Sequence, residues 1–298
     1  MPADFDRYLS ERRQTIESQL GRYLDAEQAC PNRLMEAMRY SLLAPGKRLR
    51  PLLVLMTAEA VGGRVEDALP AACALEMVHT YSLVHDDLPA MDDDDLRRGL
   101  PTCHKKFGEA TAILVGDALL TLAFQVVSTE TQPPALAAAC CGELAMAAGV
   151  AGMVGGQADD LAWEERTDGS VADLESIHRR KTGALFHAAV RLGARIGLHG
   201  RVNLATLAAV DRYAGCLGLA FQIADDLLDV EGRVENTGKS VQKDAERGKL
   251  TYPRLVGVEQ SRNRLQALAR EAREHLASLG EGGRFLAELV RRIVERDR

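Results

Sequence analysis

The chain has 298 residues, a formal net charge of −6, 46% hydrophobic residues and only 4% aromatic ones. The acidic balance argues against general nucleic-acid binding, and the apolar content is ample for a large core. The six cysteines, at positions 30, 73, 103, 140, 141 and 216, form no CxxC pair and sit mostly in apolar contexts, which suits reduced thiols in a cytoplasmic protein.

Ala, Leu, Glu and Arg dominate and alternating β-branched runs are almost absent, so the expected class is all-α. Length alone suggests about two domains. No Ser/Gly or Pro-rich linker divides the chain, however, and residues 1–298 read as a single domain.

The first helix is predicted over residues 5–29, with Leu9, Ile16, Leu20 and Leu24 spaced for one apolar face. The opening "MPADFDRYLSERR" is charged and amphipathic, unlike a signal peptide. Pro31-Asn32 breaks and recaps the chain, a short helix follows over 34–43, and Pro45-Gly46 stops it. A helix from Pro51 runs to Gly62-Gly63, and Asp67 can cap the next, which reaches Leu88. Pro89 must disturb that helix, because it removes a backbone donor and disfavours α geometry at Leu88. Further helices are predicted over 107–128, 135–162, 173–197, 203–230, 253–278 and 284–296, some separated by loops such as "TDGS" and "GEGG". The run from Pro134 to Gly156 carries one charge, Glu143, and is long enough for a membrane span. Its wealth of Ala and Gly favours a closely packed bundle helix instead, so no membrane span is expected.

Two acidic clusters stand out. The first, "HDDLPAMDDDD", packs six aspartates into residues 86–95 and is followed by "LRRG". Carboxylates a few ångströms apart repel, so the segment is either a solvated loop or the site of a divalent cation. Asp86 and Asp92 would diverge on a continuous helix. Once Pro89 ends it, residues 89–92 can fold back and set Asp92 beside Asp86. Mg²⁺ suits such a site, taking a few carboxylates and completing its octahedron with water and phosphate oxygens. In the second cluster, "FQIADDLLDVEG", Asp225 and Asp229 lie about 40° apart on one helical face. A surface helix could also relieve the repulsion by turning both outward.

Taken in order, "GKRLRP", "DDLPAMD", "KTG", "DDLLD" and a later "GK" resemble the motifs of the trans-isoprenyl diphosphate synthases, over essentially the whole chain and most closely the bacterial farnesyl-forming members. The resemblance implies a helical bundle with a central cavity, a homodimer, and a reaction joining an allylic diphosphate to isopentenyl diphosphate. It places three Mg²⁺ ions in the site, held by Asp86, Asp92 and Asp225, with Asp87, Asp226 and Asp229 as outer or orienting groups. Arg97, Lys181 and Lys239 would contact the allylic diphosphate, with Thr182 and Gln222 lining the same pocket. Lys47 and Arg50 would take isopentenyl diphosphate with His79 and Arg98, and free backbone donors at a helix start near Pro51 would assist.

"GGQADDL" also fits the family pattern through Asp160, whereas Asp159 is an extra acid without a physical account. Tyr81 and Ser82, five and four residues before Asp86, are the expected product-length positions. Bulk at these positions goes with short products in the family, so the resemblance implies that Tyr81 favours the C15 product, farnesyl diphosphate, with geranylgeranyl or geranyl diphosphate as the alternatives. A class I terpene cyclase would not need "GKRLRP", and a non-catalytic synthase subunit would be expected to lack one or both acidic clusters.

Overall fold

The structure, a computed structural model, describes residues 2–163, 168–201, 203–231 and 250–295. In chain order the helices are α1 (Pro2–Ala26), α2 (Asn32–Leu42), α3 (Leu49–Ala60) and α4 (Val65–Asp86). A two-residue antiparallel pair follows, β1 (Leu96–Arg97) with β2 (Leu100–Pro101). Then come α5 (Cys103–Phe107), α6 (Glu109–Glu130), α7 (Pro134–Ala148), α8 (Met153–Trp163) and α9 (Val171–His178). A five-residue π segment, Arg179–Gly183, leads into α10 (Ala184–Gly197), and α11 spans Leu204–Glu231. The chain closes with α12 (Tyr252–Val256), α13 (Val258–His275), a 3₁₀ segment (Ala277–Gly283) and α14 (Arg284–Val294).

The apolar stripe of α1 is buried through Ile16, Leu20 and Leu24, while Leu9 packs only partly buried against the core. Every residue of α3 from Pro51 to Ala58 is buried, which makes this a central helix rather than an amphipathic one. The neighbouring α4 is buried on nearly all sides, flanked by α3 and α6. Around this centre α10 packs on α3, α4 and α7, and α11 packs on α10 and α13. The stretches Glu109–Glu130, Pro134–Trp163 and Leu204–Val230 are long and apolar enough to cross a membrane by length and composition. Here they are built into the bundle, through α4, α10 and α13 respectively.

Four expected helices are subdivided. Gly108 at φ 90° and Gly257 at φ 85° stop the chain between α5 and α6 and between α12 and α13. Both sit in the left-handed region where an L side chain is disfavoured. The helix expected over 135–162 turns at residues 149–152, between α7 and α8. The one expected over 173–197 begins at Val171, capped reciprocally by Ser170 and Asp173, and widens into the π segment before α10. Such wide turns inside helices are common at functional sites.

Candidate active site

The acidic loop is folded as Pro89 requires. The last regular bond of α4 runs from the Asp87 N–H to the Leu83 carbonyl at 3.1 Å. The Asp92 N–H then donates to the Asp86 carbonyl at 2.8 Å, and Asp94 to Asp87 at 3.2 Å, so the chain doubles back. Asp93 takes a left-handed φ of 45° in the turn. Most of the remaining acids are engaged by nearby cations. Arg97 Nε lies 2.7 and 2.9 Å from the two carboxylate oxygens of buried Asp87, and its Nη2 lies 4.0 Å from Asp94. Lys105 reaches Asp95 at 2.8 Å and Asp93 at 3.8 Å. Asp86 is pushed up to about 6, chiefly by burial and further by the charges of Asp92 and Asp87, with Lys181 opposing. Lys181 therefore stands within electrostatic reach of Asp86, although the two come from different sides of the bundle.

On that other side, the π segment and α11 are joined by a chain of hydrogen bonds. Thr182 Oγ1 donates to Gln222 Oε1 at 3.0 Å, and Gln222 Nε2 donates to Asp226 Oδ1 at 3.1 Å. The Tyr252 N–H donates to the other oxygen of Asp226 at 2.9 Å. Asp226 is thus buried and committed to protein groups, whereas Asp225 and Asp229 are only half-buried. Lys181 Nζ pairs with Asp160 at 2.6 Å, and Arg180 pairs with Asp159. Consecutive residues of an α-helix diverge by about 100°. Here two consecutive cations of the π segment meet two consecutive acids on α8, the pairs straddling the contact between the two segments. Gly156 makes the approach possible, since a Cβ there would stand 2.2 Å from the Lys181 nitrogen. Asp159 accordingly has its physical account: it is the partner of Arg180.

The basic segment divides its side chains between two directions. Arg50 Nη1 lies 3.3 Å from His79 Nε2, and its guanidinium sits over the Phe186 ring at 5.1 Å. Burial pushes Arg50 down to about 10, with the charges of Glu76 and Asp225 opposing and Arg98 adding to the shift. His79 is held well below its ordinary value by burial, then by Arg50 and Arg98, so it is a neutral imidazole. Lys47 is exposed. Arg98 reaches back across the turn, donating from Nη1 to the Pro45 carbonyl at 2.8 Å over a Gly46 that has no Cβ to block it.

Arg48 turns inward instead, and its Nη1 donates to Glu76 Oε1 at 2.7 Å. Reading motifs alone missed this pair. The available signal was a glutamate three residues before His79, in an otherwise apolar stretch of α4.

Tyr81 is buried and meets His85 edge-on, with ring centroids 5.7 Å apart. His85 Nε2 in turn lies 3.1 Å from the Ile113 carbonyl of α6, so this face of α4 looks toward α6. Ser82 Oγ donates to the His79 carbonyl at 2.8 Å. His104 is buried with Nδ1 3.1 Å from Thr102 Oγ1. Lys239, and the "GK" motif that contains it, lie outside the described residues. Among the described residues, no three His, Cys, Asp or Glu side chains converge as a ready-made metal cluster.

The polyprenyl synthetase family pattern matches residues 31–281. The chain belongs to this family. It is 45% identical over 295 residues to the farnesyl diphosphate synthase of Geobacillus stearothermophilus, covering 98% of each chain. It is 46% identical over 275 residues to geranylgeranyl pyrophosphate synthase 4 of Arabidopsis thaliana, covering 92% of this chain and 73% of that one. Among solved structures, an FPP/GFPP synthase from Zymomonas mobilis superposes with a TM-score of 0.87 at 39% identity, covering 99% of this chain and 100% of that one. The expected all-α synthase fold is borne out. Polyprenyl synthetases of nearly equal identity to this chain carry names for different product lengths, so overall likeness does not choose among them.

Proposed function

We propose that this chain is a trans-prenyltransferase that condenses isopentenyl diphosphate with dimethylallyl and geranyl diphosphate to give farnesyl diphosphate. The observation that carries the reading is the fold-back of Asp92 onto Asp86, with Lys181 of the opposite side within electrostatic reach of that aspartate. An acidic pair flanked by fixed cations is the arrangement a metal-bound diphosphate needs.

The donor set fits Mg²⁺. A carboxyl raised by burial and by neighbouring carboxylates, as Asp86 is, lacks sufficient counter-charge in the protein alone. A hard cation of this kind takes one or two carboxylates and fills its remaining positions with substrate oxygens. Asp86, Asp92 and Asp225 would hold three ions, with Asp87, Asp226 and Asp229 orienting them. When bound, the ions neutralise charge that develops on the departing diphosphate.

The chain's own residues do the rest. Lys181, Arg97 and Lys239 bind the allylic diphosphate, and Thr182 and Gln222 orient it through their mutual hydrogen bond. These groups are preorganised around the oxygen atoms on which charge grows as the allylic C–O bond breaks. Lys47, Arg50 and Arg98 bind isopentenyl diphosphate beside the neutral His79, presenting its double bond to the allylic carbon. Apolar faces of the central helices exclude water, which would trap the cation as an alcohol.

Supporting inferences extend to assembly and place. The exposed Ile113 and Leu114 of α6, Met146 of α7, Val150 between α7 and α8, and Val154 of α8 suit burial against a second copy of the chain. The reduced cysteines fit the cytoplasm. The near-complete coverage by relatives fits one synthase domain over residues 1–298.

A second reading, a C20 product, is favoured by one observation: Tyr81 packs edge-on against His85 and lies about 140° around α4 from Asp86. Incubation with isopentenyl and dimethylallyl diphosphates plus Mg²⁺, followed by chromatography, tests both. A C15 product supports the proposal, C20 supports the second reading, and a cyclic terpene or no extended product overturns both.

A further inference from the structure

Glu76 sits on α4 one turn before His79 and is 2% exposed. Its Oε1 accepts from Arg48 at 2.7 Å, while Oε2 is buried with no hydrogen-bond partner among the described residues. A buried carboxylate left half satisfied is costly, and a merely structural position would do better with an apolar side chain. Its partner is unusual as well. Arg48 is 3% exposed and holds a left-handed φ of 50°, which an L-residue adopts only under constraint. The constraints are its side-chain bonds to Glu76, to the Ala44 carbonyl at 2.8 Å and toward Glu17 at 3.5 Å.

The consequence falls on the residues either side. With Arg48 turned into the core, the left-handed turn sends Lys47 to the surface and starts α3 so that Arg50 reaches His79. We propose that Glu76 is a positioning residue for isopentenyl diphosphate: it draws Arg48 inward and thereby presents Lys47 and Arg50 to the anion. This rests on the prenyltransferase reading above. Electrostatics agree with it. Glu76 opposes the downward shift that burial imposes on both Arg50 and Arg98, helping to keep them charged. Without Glu76, Arg48 keeps only the Ala44 carbonyl and the longer contact toward Glu17, and is freer to relax its backbone or to swing into the anion site.

The test is steady-state kinetics with each substrate varied in turn, for wild type, Glu76→Gln and the double variant Arg48→Met/Glu76→Leu, alongside thermal melts. In Glu76→Gln the KM for isopentenyl diphosphate rises about tenfold or more, the range for a lost charged contact, while the KM for the allylic substrate stays within about twofold. The double variant removes both partners and recovers thermal stability, because paired buried charges can be replaced by apolar groups at little cost. Its KM for isopentenyl diphosphate remains raised, since the turn is no longer tethered. Should Glu76→Gln fail to fold, the double variant alone decides. An isopentenyl diphosphate KM that returns to wild type in the double variant, or equal shifts for both substrates, overturns the positioning role and leaves the prenyltransferase reading standing. A wild type that forms no extended product overturns both.

Discussion

The backbone amide of Asp92 donates to the carbonyl of Asp86 at 2.8 Å, so six residues after the acid that ends α4 the chain has returned to it. In the proposed function the two carboxylates share a metal-bound ligand, and without one the charge of Asp92 opposes that of Asp86. Asp86→Ala and Asp225→Ala are therefore expected to remove most condensation activity while leaving the fold intact. The melting temperature of metal-free Asp86→Ala should equal or exceed that of wild type, because a raised carboxyl is a destabilised one. Turnover near wild type in either variant removes that aspartate from the mechanism.

The two diphosphates should be separable by mutation. Lys47→Ala and Arg50→Ala are expected to weaken isopentenyl diphosphate binding, and Lys181→Ala the allylic substrate. Each loss is about one to two decades, the worth of a hydrogen bond to a charged group. Titrating each substrate against each variant measures this. A Lys47→Ala variant affected only in its allylic KM would show the two halves to be exchanged.

Asp160 and Asp159 make a controlled pair. Asp160 holds Lys181 at 2.6 Å in a setting where both side chains are mostly buried, while the Asp159–Arg180 pair is more open to water. Asp160→Asn should raise the allylic KM or lower kcat by about tenfold. Asp159→Asn should change either by less than about threefold, as exposed pairs contribute at most about 1 kcal/mol. Equal effects would mean that Asp160 does not set the position of Lys181.

His178, just before the π segment, is buried with Nδ1 lacking a hydrogen-bond partner, and burial pushes it down to about 3. Its folded-state value lies below its ordinary one, so below about pH 6.5 the unfolded chain binds the extra proton. Stability from this group is whole above that pH and is lost as pH falls toward 3, at up to about 1.4 kcal/mol per pH unit. His178→Phe removes the loss. The melting temperature of the variant relative to wild type should rise between pH 7.5 and pH 5, and a constant difference would place the titration elsewhere.

Tyr81→Ala is expected to lengthen the product toward C20 with the chemistry unchanged, read by chromatography of the products. Ser82 shares the face of Asp86 more closely, being four residues away, about 40° around the helix. If Tyr81→Ala still stops at C15, Tyr81 is not the wall that limits growth.

Much of this arrangement could be read from local pattern. Pro89 dictated the fold-back, and apolar spacing located the helices of the bundle. What stayed hidden depends on contacts between distant residues. Arg48 is left-handed because a glutamate 28 residues away holds it, and no feature of "GKRLRP" announces that. Asp159 looked superfluous because its partner, Arg180, lies 21 residues later and reaches it only through the packing of the π segment on α8. Asp226 and Asp229 looked equivalent until the Tyr252 amide, supplied from beyond the second acidic cluster, distinguished them.

Consecutive residues of the small hairpin point to opposite errands: Arg97 grips Asp87 in the acidic loop, and Arg98 grips the Pro45 carbonyl beside the basic turn. Adjacent residues share one peptide unit and cannot travel separately. A displacement of the hairpin that loosens Arg97 from Asp87 also pulls the donor away from Pro45. Under the proposed function the hairpin is a tie-rod between the two diphosphate sites, so that occupation of one would be felt at the other, the condition for substrates to bind in a preferred order.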